Sequence, residues 1–144
     1  MINKLKSLGL KITPQRLAIM KLLDGNTSHP SAEEIYNALK PDFPSLSLAT
    51  VYNTLEALCE AKEIQEVRIK RDKRHFDSNV VPHTHFLCRI CDKIYDLDLD
   101  VQSVQLQIPL KMQGCQVDGY TFHLYGTCPA CMAKIAGNNN QQII

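Results

Sequence analysis

Apolar residues recur at helical spacing in the N-terminal half of the chain, and capping or breaking residues bound each run. Thr13-Pro14 supplies an N-cap and a proline at the first helical position, and Asp24-Gly25-Asn26 ends the run that follows. Ser31 and Glu34 have the spacing of a capping box at the start of a second helix. Pro41 ends that helix, because proline cannot continue it.

The same periodicity predicts which face of each helix is buried. In the second helix, Ile35, Ala38 and Leu39 are expected to form the buried stripe. A third helix opens at Ser45-Leu46-Ser47 and turns Leu48, Val51, Leu55 and Leu58 inward. Its other face carries polar and aromatic side chains, namely Thr50, Tyr52, Asn53 and Glu56.

Two strand-like runs follow the third helix, over residues 64–69 and 75–77. The turn between them is basic, and the seven residues Arg68–Arg74 at this point include five cations, namely Arg68, Lys70, Arg71, Lys73 and Arg74. Three helices followed by a hairpin with a basic tip is the order of a winged helix-turn-helix, in which a helix enters the major groove and the hairpin contacts phosphates. We therefore expect double-stranded DNA as a partner. A three-helix interaction module of similar order is the alternative.

Composition agrees with an ordinary globular protein. Of 144 residues, 44% are hydrophobic and 22% are charged, and no apolar run approaches the length of a membrane span. The first residues lack the apolar segment of a secretory signal, so a cytoplasmic location without membrane attachment is expected. The net charge is only +1, so the argument for nucleic acid depends on the local basic turn.

The fold class predicted is α+β, in two domains. Residues 1–78 would form the winged-helix DNA-binding domain, and 79–82 would be a hinge. Residues 83–137 would form a small α/β dimerisation domain that contains zinc. The polar residues 138–144 are expected to be a disordered tail.

Two CxxC pairs carry the most specific short-range signal in the chain. In a reducing compartment, Cys88 and Cys91 together with Cys128 and Cys131 are expected to hold one structural zinc, because four thiolates close a tetrahedral site. Disulfides or a redox dithiol are the alternatives. Cys59 is expected in the core, and Cys115 has no assigned role.

A second set of side chains suits a regulatory metal. His83 and His85 alternate, so a strand would turn both imidazoles to one face. His29, Asp77 and Asp96 could complete a set of imidazoles and carboxylates, which suits Fe²⁺, Mn²⁺ or Zn²⁺. Each of these residues taken alone is more often a surface group or a buried structural histidine.

Several strings of the sequence, which include His29, Asp77, His83 and His85, resemble the ferric uptake regulator family over nearly the whole chain. The strings are Gly9–Arg16, His29–Tyr36, Ser47–Asn53, His75–Asp77, His83–His85 and the two CxxC pairs. The resemblance implies a winged-helix domain, a C-terminal dimerisation domain, a four-cysteine zinc site and a regulatory metal at the domain junction. The protein would then be a homodimeric, metal-dependent repressor that binds operator DNA, and not an enzyme.

Within that family the chain is similar to the peroxide-sensing branch. Aspartate at Asp77 and Asp96, and asparagine at Asn53, are typical of this branch. The resemblance implies that peroxide oxidises a ligand histidine, here His29 or His83, when Fe²⁺ is bound, and that Mn²⁺ fills the site without this reaction. The alternative is a repressor of the same architecture that senses iron, zinc or manganese availability.

The DNA contacts expected on this reading come from the first helix of the pattern, the third helix and the basic turn: Arg16, Thr50, Tyr52, Asn53, Arg71 and Lys73. His123 resembles a position that some relatives use for an additional metal, and we expect it to be structural. A metalloenzyme would need an open coordination position with a nearby general base, and a thiol oxidoreductase would need an activated CxxC that opens a helix in a βαβ setting. Neither pattern is visible in the sequence.

Overall fold

The computed structural model describes the backbone of residues 2–70, 72–81, 83–97, 111–118 and 122–141, and side chains there except at 111–112 and 140–141. The chain divides into two units, Met1–Val81 and Pro82–Ile144. The elements of the first unit are α1 (Ile2–Ser7), α2 (Pro14–Leu23), α3 (Ala32–Leu39), α4 (Leu48–Glu60), β1 (Gln65–Val67) and β2 (His75–Asp77). Those of the second are β3 (Thr84–Cys88), β4 (Ile94–Leu97), β5 (Lys111–Met112), β6 (Cys115–Gln116), β7 (His123–Gly126) and α5 (Pro129–Gln141).

The helix starts predicted from the sequence are confirmed by their caps. The Thr13 hydroxyl accepts a hydrogen bond from the backbone N–H of Arg16, and Pro14 is the first residue of α2. Ser31 and Glu34 form both bonds of a capping box at α3. Ser47 caps α4. These bonds satisfy backbone donors that a helix leaves without intrahelical partners.

The core of the first unit lies between its helices and the hairpin. Ile19, Ile35, Val51, Leu55 and Phe76 are all fully buried. The sequence did not predict the first helix, α1, because a helix of only six residues shows too little hydrophobic periodicity. Leu5 of this helix nevertheless packs into the core.

The buried stripe of α3 differs from the expected one at one position. Ala38 is exposed, whereas Ala32 and Ile35 are buried and Leu39 is half-buried. At about 100° per residue, Ala32 and Leu39 fall to one side of Ile35 and Ala38 falls to the other. The buried face is therefore centred between Ile35 and Leu39, and Ala38 lies outside it.

The hairpin is shorter than predicted but has the expected pairing. β1 and β2 are antiparallel, with Val67 opposite His75. Ile64 and Ile69, at the ends of the predicted first run, are buried although they lie outside β1. Arg71, which was predicted to contact DNA, lies outside the described residues.

The second unit is built on a mixed three-stranded sheet of order β4-β3-β7. The central strand β3 pairs antiparallel with β4 and parallel with β7. α5 continues to Gln141, so residues 138–141 are helical rather than a disordered tail; residues 142–144 lie outside the described part. A polar sequence can extend a helix whose first turns are already formed, because elongation is easier than nucleation.

Helices and sheets in both units confirm the α+β class. Among the described residues, no helix has the length and apolar character needed to cross a bilayer.

Candidate metal centres and nucleic-acid interface

The two CxxC pairs converge on one point in the second unit. Cys88 ends β3 and Cys91 follows in the turn before β4. Cys128 immediately precedes α5, and Cys131 lies in the first turn of that helix. The four sulfur atoms lie within 4.8 Å of one another, and Cys91 Sγ is 3.8 Å from Cys128 Sγ. A tetrahedron with zinc–sulfur bonds of about 2.3 Å has edges of about 3.8 Å. The cluster therefore has the dimensions of a closed zinc site.

Local hydrogen bonds favour thiolate at part of this cluster. Burial opposes ionisation of Cys88, but backbone N–H groups, including that of Cys128 at 3.3 Å, outweigh it and lower the pKa of the thiol to about 6. The Tyr95 hydroxyl lowers the pKa of Cys128. Burial raises the pKa of Cys131 to about 12, so this thiol requires a cation before it loses its proton.

The first unit holds a buried imidazole–carboxylate pair. His29 Nε2 lies 3.4 Å from Oδ2 of Asp77, and both side chains are almost fully buried. The other carboxylate oxygen, Oδ1, accepts a hydrogen bond from the backbone N–H of Asn79 at 2.8 Å. That bond orients the carboxylate so that Oδ2 is directed toward His29.

The loop that carries His29 is fastened to the edge of β2. The His75 Nδ1–H donates to the His29 carbonyl at 2.7 Å, and the Phe76 N–H donates to the Pro30 carbonyl at 3.0 Å. His29 has a φ of 52°, a left-handed conformation that is uncommon for residues other than glycine. Strained backbone of this kind is often found where a side chain must be held at a functional site.

A second cluster of the same chemistry lies in the second unit. Asp96 Oδ1 is 2.9 Å from His83 Nε2 and 3.5 Å from His85 Nε2. His85 and Asp96 are direct cross-strand partners on β3 and β4, and His83 precedes β3 by one residue. Both imidazoles therefore approach one carboxylate from the same side, as their alternate spacing predicts. Imidazole and carboxylate ligands without thiolates suit Fe²⁺ and Mn²⁺.

Three residues fall outside these clusters. His123 lies beside His85 in the sheet, with ring centroids 5.8 Å apart, and burial followed by the nearby His85 lowers its pKa. Cys59 packs against the core of the first unit, as predicted, and burial raises its pKa to about 11. Cys115 is exposed on β6 and is not part of the four-cysteine cluster.

The outer face of α4 carries the residues predicted to meet DNA. Asn53 is exposed, whereas Thr50 and Tyr52 are half-buried. The Thr50 hydroxyl pairs with that of Ser47 at 2.9 Å, and the Tyr52 hydroxyl donates to Glu33 Oε1 on α3 at 2.8 Å. Two of the three predicted contacts thus have polar partners within the protein.

The cations of the hairpin differ in their surroundings. Lys73 is exposed. Arg74 instead forms a two-bond ion pair with Glu66 on β1, at 2.9 and 3.1 Å, and a further bond to Glu56 on α4. Its guanidinium lies 5.5 Å from the centre of the Phe76 ring. Arg74 therefore joins the hairpin to α4 and is already engaged within the protein, which its position in a run of cations did not indicate.

Arg16 is half-buried, and its Nη1 donates to the Lys11 carbonyl at 3.0 Å. The sequence did not single out three residues that contact the predicted site residues. Glu33 accepts a hydrogen bond from Tyr52, and His75 donates one to the carbonyl of His29. Tyr95 is hydrogen-bonded to Cys128. Of these three, only Glu33 could have been noticed in the sequence. The capping box uses the carboxylate of Glu34 and leaves the neighbouring carboxylate of Glu33 without a role in the cap.

Comparisons with known proteins agree with this architecture. The model of the ferric uptake regulator family matches residues 7–125. The peroxide-responsive repressor PerR of Staphylococcus aureus is 35% identical over 133 residues, which cover 92% of this chain and 90% of that protein.

Solved structures extend the likeness to the fold. The ferric uptake regulator of Francisella tularensis with iron is 26% identical with a TM-score of 0.70, covering 86% of this chain and 96% of that one. PerR of Streptococcus pyogenes, described for peroxide sensing and gene regulation, is 36% identical with a TM-score of 0.50, covering 90% and 89%. The chain belongs to the ferric uptake regulator family.

Proposed function

We propose that this protein is a metal-dependent, peroxide-sensing transcriptional repressor that binds operator DNA as a homodimer in the cytoplasm. The observation that carries the proposal is the pair of histidine–aspartate clusters, one in each unit, beside a separate four-cysteine cluster. A peroxide-responsive relative at 35% identity supports the same function. The role is that of a regulator and not of an enzyme.

Each proposed domain has its own role. Residues 1–78 would bind DNA, 79–82 would act as the hinge, and 83–137 would form the dimerisation domain held by zinc on Cys88, Cys91, Cys128 and Cys131. A closed four-thiolate site leaves no open position for substrate, so its zinc would be structural.

The regulatory metal would be held by residues of both domains: His29, Asp77, His83, His85 and Asp96. Asp77 Oδ2 faces His29 Nε2 at 3.4 Å, and Asp96 presents one oxygen to the imidazoles of both His83 and His85. Ligands drawn from both domains would hold the domains in one relative orientation. Metal affinity and DNA affinity would then be reciprocally linked, because each would favour that same orientation.

Peroxide sensing requires that loss of one ligand releases this orientation. Bound Fe²⁺ would supply the one-electron chemistry by which peroxide oxidises an adjacent imidazole, whereas Mn²⁺ would not. His29 and His83 are the proposed targets. An oxidised imidazole is a poorer ligand, so the hinge would be freed and DNA released.

The second candidate function is a repressor that senses metal availability. It is supported by the same clusters and by the likeness to ferric uptake regulators. Peptide mass spectrometry of the Fe²⁺-loaded protein after peroxide treatment separates the two. We expect one added oxygen on the peptide of His29 or His83, and no addition in the Mn²⁺-loaded control. Unmodified histidines in both forms would favour metal-availability sensing.

A further inference from the structure

The proposed DNA-reading surface contains a carboxylate that the proposed function does not use. Glu33 lies in the first turn of α3 and accepts the hydroxyl hydrogen bond of Tyr52, on α4, at 2.8 Å. Its other oxygen, Oε2, is buried and has no hydrogen-bond partner in the described part of the chain. A negative charge on a surface that meets phosphates opposes binding, so any benefit from Glu33 must come through what it holds.

The start of α3 determines where Glu33 lies. The capping box directs Glu34 back to the backbone N–H of Ser31. The preceding residue is displaced by about 100° around the helix, which turns Glu33 away from the cap. Its contact with Tyr52 shows that this direction leads to α4.

The contact is electrostatically consistent on both sides. The hydrogen bond from Tyr52 is the largest cause of a lowered pKa at Glu33, and the Lys73 cation of the hairpin lowers it further. The same bond, followed by burial, raises the pKa of Tyr52. The carboxylate is therefore ionised and the phenol protonated at neutral pH, which is the pairing that gives a strong, charge-assisted bond.

We propose that Glu33 is a positioning residue for DNA recognition, which fixes the Tyr52 ring in one orientation on α4 before DNA arrives. The inference rests on the proposed function. A side chain fixed in advance loses less conformational freedom on binding, which is worth about a two- to tenfold change in affinity. The gain appears only on the sequence to which the fixed ring is complementary, so Glu33 would determine specificity without contacting a base.

The test compares two neutral replacements of Glu33. E33Q keeps a carbonyl oxygen that can accept the hydrogen bond from the Tyr52 hydroxyl, and E33A removes this acceptor. Both remove the negative charge, so the general gain in affinity for a polyanion is equal. Each is made in the wild-type background and in the Y52F background, where no hydroxyl remains to be held.

The probe is a duplex selected from a random pool by the wild-type protein in Mn²⁺, together with its single-base variants. We expect E33A to lose about two- to tenfold in discrimination between the selected duplex and its variants relative to E33Q. In the Y52F background, the discrimination shown by E33A and that shown by E33Q should agree within about twofold.

Three results separate the possible outcomes. Equal discrimination by E33A and E33Q in the wild-type background would overturn the inference, and so would an unchanged difference between them in the Y52F background. If the wild-type protein selects no sequence, the proposed function fails and the inference falls with it. Thermal unfolding of the four variants checks that they are folded at the assay temperature.

Discussion

Oδ1 of Asp96 lies 2.9 Å from Nε2 of His83, although His83 precedes β3 and Asp96 lies on the neighbouring strand β4. The cross-strand pairing of His85 with Asp96 creates this proximity, because it brings the end of β4 beside the start of β3. A carboxylate and two imidazoles are thus gathered by strand register.

This relationship predicts different results for two substitutions. Asp96→Glu keeps a carboxylate and should retain metal-dependent DNA binding, but the longer side chain should reshape the coordination and slow oxidation of His29 and His83. His83→Ala removes a ligand and should abolish metal-dependent DNA binding. The measurement is DNA affinity with and without Mn²⁺, and the rate of oxygen addition in the Fe²⁺ form. Wild-type behaviour of His83→Ala would exclude His83 from the proposed site.

The four-cysteine cluster predicts a structural dependence on zinc. Cys91→Ser should abolish zinc binding, unfold the second unit and prevent dimer formation, because serine supplies no thiolate. Cys115→Ser is the matched control, since Cys115 is exposed and outside the cluster. Zinc content and sedimentation measure the outcome. A folded, zinc-free dimer of Cys91→Ser would contradict the structural role.

Replacing Lys73 and replacing Arg74 in the hairpin should have different effects. Lys73 is exposed, so Lys73→Met should weaken DNA binding on all sequences and lower the salt slope by about one. Arg74→Met removes the same charge but also the bonds to Glu66 and Glu56, and should cost about 1 kcal/mol of stability because the pairs are partly exposed. Salt titrations and chemical denaturation distinguish them. Equal stability loss at both positions would contradict the structural assignment of Arg74.

The ion pair between Glu66 and Arg74 should make the stability of the protein depend on pH. The hydrogen bonds from Arg74 lower its pKa below the ordinary value of 4.5. A carboxyl with a lowered folded-state pKa stabilises the protein above its unfolded pKa, and this contribution disappears as the pH falls through the folded pKa. The stability difference between wild type and Glu66→Gln should therefore be constant near neutrality and shrink below pH 4.5.

Denaturation at several pH values measures that difference, and Glu60→Gln, at an exposed position of α4, is the control. A difference between wild type and Glu66→Gln that persists unchanged into acid would contradict the role of the Glu66–Arg74 pair.

The sequence predicted most of the first unit because its signals are local. Thr13, Ser31 and Ser47 determine helix starts through bonds to residues three positions away, and such pairs are visible in the sequence. The CxxC pairs are equally local, and their spacing indicated a shared metal.

Relationships between distant residues could not be predicted in the same way. The bond from Tyr52 to Glu33 joins residues 19 apart, and that from His75 to His29 joins residues 46 apart. Each depends on helix packing or strand pairing that no local pattern specifies. The run of cations likewise did not distinguish Lys73 from Arg74, because burial and partners come from the folded hairpin.

The peroxide response is the central claim, and DNA binding by the Fe²⁺ and Mn²⁺ forms before and after peroxide tests it most directly. Both forms should bind the selected duplex beforehand, since either metal suits the histidine–aspartate set. After peroxide, the Fe²⁺ form should lose DNA binding together with oxidation of His29 or His83, while the Mn²⁺ form should still bind. Equal loss of binding in both forms would contradict the iron-dependent mechanism, and retention of binding in both would contradict peroxide sensing.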